Sequence, residues 1–329
     1  MNEYKTELAF LLHFTSEIYK KPYIYEPKIQ EINITKLLYI SNINGMGYYV
    51  LKKLYSKYQN ILDNNIVKYI KTSYKKKDNN YTNNICTLQS LNMILDKFLI
   101  FKTFKLHPRI GSDIDVLVPD VYNALQKLLK KGMRIESFSS DLDTAVLYNG
   151  LTKIHLHGHI SWAKKGSSFF DHDFIWDRPR IVNFDQISCP ITNFNADFLI
   201  HIAHINFENL HITLSDLLYI YYLISKVNWN EINNQVNNHN WKITFNKTMK
   251  ILYSLHHSIY KTANSNTIDK TNSIDYDYPI PDLPITLPRK HIILAFQEKK
   301  FLLYALSRFL KSTYIIITGD TYTALHKKF

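Results

Sequence analysis

The sequence predicts a mixed α/β fold, in which an α+β core with a mixed sheet lies between helical N-terminal and C-terminal regions. Within residues 86–190, short apolar runs rich in β-branched residues alternate with helix patterns, and a hairpin closes the series. On both sides, apolar residues recur at helical spacing. We therefore divide the 329 residues into a basic helical region over 1–85, an α/β core over 86–190 and a mainly helical region over 191–329.

The N-terminal region carries two amphipathic stretches, residues 34–39 and 48–58, which predict helices joined by a Gly-containing turn at 42–47. A helix-turn-helix fits this pattern, with a second helix whose three lysines reach phosphates. An ordinary helical hairpin with a solvated lysine face fits it as well. The polar, low-complexity run at 75–84 predicts a linker or loop.

The core and the C-terminal region supply the remaining elements. In the core we expect a helix over 87–97, strands over 98–101 and 113–118, a helix over 120–131, a strand over 133–138, and hairpin strands over 144–148 and 152–162. Asp120 and Gly132 are the expected caps of the second helix, and Asn149-Gly150 is a strong hairpin signal. Beyond Pro190 we expect helices over 195–208, 214–227 and 290–311, a Pro-rich connector over 261–288, and a short strand over 312–318.

Composition and charge restrict the class of protein. The formal charge of +12 favours polyanionic partners, and residues 1–80 carry 13 lysines and no arginine against seven acidic residues, a net charge of +6. Lys, Asn, Ile and Tyr all have AT-rich codons, so genome composition is an alternative source of the lysines. There is no apolar run of membrane-spanning length, no secretory signal pattern and no disulfide scaffold, since Cys86 and Cys189 are the only cysteines. We therefore expect a cytoplasmic protein without a membrane partner.

The paired acids Asp113 and Asp115 are the strongest functional signal. They lie two residues apart in the apolar run Gly111-Ser112-Asp113-Ile114-Asp115-Val116-Leu117-Val118, so alternation along a strand puts both on one face. Like charges this close raise each other's pKa unless a cation lies between them, so such pairs usually bind a divalent metal, typically Mg²⁺ in phosphate chemistry. A solvated strand with two surface aspartates is the alternative, and the apolar neighbours argue against it.

This run resembles the signature of the nucleotidyltransferase superfamily that includes polymerase β, in which an Asp-hydrophobic-Asp strand holds Mg²⁺ and the triphosphate. The chain is similar to uncharacterised members in which Lys-Gly or Lys-Thr follows a short apolar strand, whereas many other members have Gly-Ser there. The resemblance implies that Lys102 neutralises a phosphate and that Thr103 offers a hydroxyl. With Gly111 and Ser112 of the motif these are the nucleotide contacts that it implies, and Arg109 is a further candidate contact by its position along the chain, or a solvated loop cation. Lys105 and His107 are close enough along the chain to reach phosphates, or are solvated loop cations.

Three histidines, His155, His157 and His159, alternate on the second hairpin strand and so share one face. The related proteins carry a third carboxylate on this strand, often in Val-Asp-Leu-His-Trp, and His155 stands at its position here. A neutral imidazole is a candidate general base and favours Mn²⁺ or Zn²⁺ over Mg²⁺. The alternatives are a three-histidine zinc site, nucleotide binding without transfer, or an acid supplied from a loop by Asp141, Asp143 or Asp171.

The first C-terminal helix pattern carries a polar stripe, formed by Asp197, His201, His204 and Glu208. The related proteins have a similar His-x-x-His helix followed by Leu-x-x-Asp-Leu. On that resemblance we expect His204 and Asp216 to form a polar pair that packs the helical region against the core. For Arg178 and Arg180 we expect salt bridges rather than phosphate contacts.

These observations predict a nucleotidyltransferase that transfers NMP from an NTP, most simply ATP, to a hydroxyl acceptor. Asp113 and Asp115 would hold Mg²⁺ or Mn²⁺, with His155 as base. One alternative is a catalytically silent protein that binds tRNA or DNA through its basic N-terminal region, and another is a toxin–antitoxin-type transferase that modifies tRNA or protein. The sequence has only eight glycines and lacks Walker, dinucleotide-binding and kinase motifs, which leaves the carboxylate–metal route to phosphate chemistry.

Overall fold

The computed structural model describes residues 5–19, 28–109, 111, 113–140, 143–160, 169–260 and 284–287. Its α-helices are α1 (Lys5–Tyr19), α2 (Ile34–Ile43), α3 (Gly47–Lys57), α4 (Asn64–Ile94), α5 (Val121–Lys130), α6 (His172–Trp176), α7 (Phe194–His204), α8 (Leu214–Ile224), α9 (Trp229–Asn238) and α10 (Lys242–Tyr260). Its strands are β1 (Leu99–Phe101), β2 (Asp113–Leu117), β3 (Arg134–Ser139), β4 (Thr144–Asn149), β5 (Thr152–His157), β6 (Arg180–Phe184), β7 (Ile187–Ile191), β8 (His211–Ile212) and β9 (Ile285–Thr286). The helix expected over 290–311, the strand over 312–318 and most of the connector over 261–288 lie outside the described residues.

A seven-stranded mixed sheet forms the centre of the fold, with strand order β3-β4-β5-β2-β1-β7-β6. β2 runs parallel to β5 and β1 runs parallel to β7, while the other neighbouring strands are antiparallel. The mixed α/β class is therefore confirmed, and its assignment as a nucleotidyltransferase core stays a prediction. The Asn149-Gly150 hairpin is present as expected, with Gly150 at φ +59° in the left-handed conformation that favours glycine.

The two faces of the sheet pack against different layers. Ile114 and Val116 face a core formed with α5 and the C-terminal end of α4, which contributes Leu88 and Leu91. The opposite face belongs to a larger core in which strand residues such as Leu117 pack with α1, α2, α3, α7, α8 and α10. Because side chains alternate along β2, the two aspartates point toward this second, helix-covered face.

The linker expected over 75–84 is wrong, because these residues lie inside the 31-residue helix α4. The aromatic ring of Tyr48 on α3 stacks on Tyr74 and Tyr81, and its hydroxyl donates to Asp78 at 2.5 Å. Packing against α3 thus stabilises a helix that the polar local sequence does not favour. The same helix runs through residues 85 and 86, where the boundary between the first two regions was expected.

The expected helical pair is present as α2 and α3, joined by a turn in which Gly45 has φ +72°. Two of the three lysines on α3 are paired, since Lys53 and Lys57 lie 2.6 Å and 3.0 Å from the carboxylate of Glu17 on α1. A DNA- or RNA-binding role for this pair stays a prediction. Each of the described helices is too short or too polar to cross a bilayer.

Candidate functional site

Two neighbouring parallel strands bring the predicted acids and histidines together. The register aligns Asp115 on β2 with His155 on β5, so Asp113, Asp115, His155 and His157 share one sheet face. His157 Nε2 lies 3.1 Å from Asp115 Oδ1, and His155 Nδ1 lies 3.6 Å from Asp113 Oδ2. We call this face the strand side of the site.

A cavity of about 520 Å³ opens over the strand side. The loop after β1, the end of α7 and the turn between α2 and α3 enclose it. Of the predicted nucleotide contacts, four line it and Ser112 lies outside the described residues. The four are Lys102, Thr103, Arg109 and Gly111. A Cβ atom at Gly111 would lie 2.9 Å from the carbonyl oxygen of Asp113, so this close backbone approach requires glycine.

A strained turn after β1 places Lys102, the first residue of the following loop, next to the acids. Lys102 has φ +58°, and the Thr103 amide donates to the Phe101 carbonyl at 2.7 Å, which closes a three-residue turn. The Lys102 ammonium lies 3.4 Å from Asp115 Oδ2 and 3.5 Å from Glu208 Oε2. The backbone amide of Asp115 donates to Thr103 Oγ1 at 3.4 Å, which ties this loop to β2.

Electrostatic surroundings fix the protonation of these groups. Burial raises the pKa of Asp115, but Lys102 and the hydrogen bond from His157 outweigh it and hold the pKa well below its usual range. Burial lowers the pKa of Lys102, yet Asp115 and Glu208 outweigh it and keep the pKa above its usual value. Burial also lowers the pKa of His155, against the raising effect of the two aspartates, which favours the neutral imidazole.

The opposite wall, which we call the helix side, is formed where α7 becomes a π-helical turn over Ile205–Asn209. The Leu210 amide donates to the Ile205 carbonyl at 2.9 Å, which is the i to i+5 bond of a π-turn. Glu208 accepts from His204 Nδ1 at 2.6 Å, and the Asn209 amide lies 2.8 Å from His204 Nε2. A carboxylate–imidazole pair therefore faces the strand side across the cavity.

The pairing expected between His204 and Asp216 is wrong, because each has another partner. Asp216 Oδ1 lies 3.1 Å from the ammonium of Lys105, whose side chain has no solvent exposure. Lys105 also lies 3.3 Å from His201 Nδ1, and burial lowers its pKa to about 8 against the raising effect of Asp216. Lys105 thus anchors the loop after β1 to α7 and α8 rather than reaching a phosphate.

A second buried carboxylate, Asp197, lies on the same helix α7. Asp197 accepts from Arg180 at 2.7 Å and from the hydroxyl of Tyr219 at 2.5 Å. Arg180 therefore forms a salt bridge, as the sequence predicts. Arg178 pairs with Asp177 on the surface. His107 is also buried, with its ring nitrogens 2.9 Å from the hydroxyl of Tyr19 and 3.4 Å from that of Ser215, so the alternative of a solvated loop residue is wrong for it.

The two buried histidines make folding sensitive to acid. Burial lowers the pKa of His107 to about 3 and of His201 to about 4, both below the unfolded value of 6.5. The unfolded chain therefore binds protons that the native chain does not, and stability is full above pH 6.5 and falls as the pH decreases below it. We expect the free energy of unfolding to fall by up to about 1.4 kcal/mol per pH unit for each histidine. Urea unfolding at pH 7, 6 and 5 measures this, and equal stability at all three would contradict it.

The two described loop aspartates that were candidates for a third acid do not line the cavity. Asp143 lies 3.5 Å from His159 beyond the end of β5, and Asp171 pairs with His239 at 3.0 Å, both away from the cavity; Asp141 lies outside the described residues. His159 therefore does not line the cavity with His155 and His157, although the sequence predicts that all three share one face. Glu208 lines the cavity, as do Asp113, Asp115 and Asp216, and its i+4 spacing from His204 is the local signal for it in the sequence.

No protein-family model matches the chain, and a comparison with curated proteins found no match either. The described residues define a mixed α/β protein with a cavity lined by acids, imidazoles, the ammonium of Lys102 and the guanidinium of Arg109. The nucleotidyltransferase resemblance therefore depends on the motif residues of this chain alone.

Proposed function

We propose that this chain is a divalent-metal-dependent nucleotidyltransferase that transfers NMP from an NTP to a hydroxyl acceptor. The observation that carries the proposal is the β2–β5 register, which aligns Asp115 with His155 beneath the cavity. The ammonium of Lys102, 3.4 Å from Asp115, adds the positive charge that phosphate recognition needs. The cavity volume of about 520 Å³ is within the range of small-ligand sites.

The donor set fits a divalent cation. Asp113 and Asp115 offer carboxylate oxygens, and His155 Nε2 is buried without a hydrogen-bond partner among the described residues, so the imidazole has a nitrogen available as ligand. A bound cation would neutralise phosphate charge and favour in-line displacement at phosphorus. Asp113, Asp115 and His155 are the residues that we assign to hold it.

The remaining residues would bind and orient the substrates. Lys102 and Arg109 lie at the cavity and supply fixed positive charges for the phosphates. The acceptor oxygen would attack the α-phosphorus, the bond to the bridging oxygen would break, and pyrophosphate would leave. The hydroxyl proton would pass to Glu208, which His204 holds at 2.6 Å on the helix side. We prefer Glu208 to His155 as base because His155 lies among the metal-binding acids.

Nucleotide binding tests the proposal directly. The purified chain should bind a fluorescent ATP analogue in the presence of Mn²⁺, and Asp113→Ala should weaken this binding by at least about tenfold, because one carboxylate of the pair is lost. Asp171→Ala is the matched control, since Asp171 pairs with His239 outside the cavity. Unchanged affinity in Asp113→Ala, or no nucleotide binding by the wild-type chain, would refute the assignment.

A further inference from the structure

Three side chains on the strand side are arranged as a metal site with two nitrogen ligands. One ligand atom from each of Asp115, His155 and His157 lies within 4.8 Å of the other two. All three residues belong to adjacent paired strands, so the backbone register fixes their spacing without any loop rearrangement. A site supported by two paired strands is already organised before a ligand arrives.

Two further observations point to a ligand at this place. His155 Nε2 is buried and has no hydrogen-bond partner among the described residues, which is unusual for a buried ring nitrogen. The Lys102 ammonium lies against Asp115 and is held there by a backbone conformation that non-glycine residues rarely adopt. The ammonium of Lys102 therefore lies where a cation would bind. Glu208 Oε2, 3.5 Å from this ammonium, is a second carboxylate oxygen that can pair with Lys102.

We propose that Asp115, His155 and His157 bind one transition-metal ion of the Zn²⁺, Co²⁺ or Mn²⁺ class, in preference to Mg²⁺. Two imidazole nitrogens and one carboxylate oxygen suit these ions, whereas Mg²⁺ requires oxygen ligands. Three protein ligands leave further coordination positions, and the cavity lies beside all three residues. The ion competes with the ammonium of Lys102 for Asp115, so binding of the metal releases Lys102 from that carboxylate.

This inference deepens the cation site of the proposed function, since it keeps Asp115 and His155 and replaces Asp113 by His157 as the third ligand, but it does not require nucleotidyl transfer. A chain that binds Co²⁺ through the two histidines but binds no ATP would retain the metal site and lose the proposed function. A chain that binds Mn²⁺–ATP equally well with or without the histidines would retain the function and lose this site. The two proposals therefore fail on different measurements.

Cobalt titration of the metal-free full-length chain tests the site, with visible absorption and calorimetry as readouts. We expect one Co²⁺ per chain, with an absorption spectrum that indicates nitrogen ligands. His155→Gln and His157→Gln should each weaken Co²⁺ binding by at least about 100-fold, since even outer-shell changes at metal sites reduce affinity by 10–100-fold. His159→Gln is the matched control, because His159 is on the same chain segment but lies 3.5 Å from Asp143 instead; it should bind Co²⁺ as the wild type does.

A gain of affinity separates metal binding from damage to the fold. Lys102→Met removes the competing ammonium and should tighten Co²⁺ binding by at least about tenfold, a result that misfolding does not produce. No Co²⁺ binding by the wild type, unchanged binding in both histidine variants, or displacement of Co²⁺ by an equal concentration of Mg²⁺ would overturn the site. Weaker or unchanged Co²⁺ binding in Lys102→Met would overturn the competition between the ion and the lysine.

Discussion

Lys105→Met is expected to lower the free energy of unfolding by about 3–5 kcal/mol, because it removes the ammonium that pairs with the buried carboxylate of Asp216. The ammonium lies 3.1 Å from Asp216 and 4.6 Å from the ring centre of Tyr219, and the lysine side chain has no solvent exposure. Asp216 also accepts from the hydroxyl of Thr213 at 2.6 Å, which caps α8, so its charge stays in place when Lys105 is lost. Urea unfolding followed by circular dichroism measures the change.

Two comparisons identify the cause of that loss. Lys127→Met changes an ammonium that pairs with the exposed Asp96, and such surface pairs contribute about 0–1 kcal/mol. The double variant Lys105→Met/Asp216→Asn removes both charges and should recover part of the stability, since no uncompensated charge remains at that pair. If Lys105→Met is no more destabilising than Lys127→Met, the buried pair does not anchor the loop.

Asp115→Asn should reduce pyrophosphate release from Mn²⁺–ATP by about 10³-fold or more. The variant keeps the shape of a residue that is 7% exposed but removes a charge that faces Lys102 and His157. Several kcal/mol of charge stabilisation by a bound cation correspond to a factor of this size in rate. The assay follows pyrophosphate with water and glycerol as acceptor hydroxyls, since both are small compared with the cavity volume of about 520 Å³.

Asp143→Asn is the control for that measurement, since Asp143 lies in the turn before β4, next to His159 and outside the cavity. Its pyrophosphate release should equal that of the wild type. The melting temperature of each variant shows whether the fold is retained. Equal rates in Asp115→Asn and the wild type would remove Asp115 from the reaction and, with it, the proposed chemistry.

Local signals in the sequence predicted the elements that local interactions determine. Asp120 accepts from the amide of Asn123 at 3.0 Å and begins α5 where expected, and Gly132 follows that helix with φ +87°. The alternation of Asp113 and Asp115 predicted a shared face because strand geometry alone determines it. These features require no knowledge of distant partners.

Features that depend on long-range packing were predicted wrongly or missed. The run at 75–84 is polar, and its helix is held by tertiary contacts such as the stacking of Tyr48 on α3 against Tyr74 and Tyr81. The true partner of Asp216 is Lys105, 111 residues away, and spacing along the chain gives no signal for such a pair. Glu208 enters the cavity because a π-turn changes the direction of the chain, and periodicity at 3.6 residues does not predict that turn.

The π-turn also makes the position of Glu208 depend on the number of residues in the segment Ile205–Asn209. An extra residue within a helical turn is equivalent to a one-residue insertion, and each residue of an α-helix rotates the following side chain by about 100°. Deleting Ile205 or Phe207 would allow regular winding and turn the carboxylate of Glu208 away from Lys102, although every polar residue of the segment would be kept. In evolution, the loss of one such codon would break the contact between Glu208 and Lys102 as effectively as a substitution of Glu208. Descendants of this chain with another chemistry could therefore differ from it by length alone.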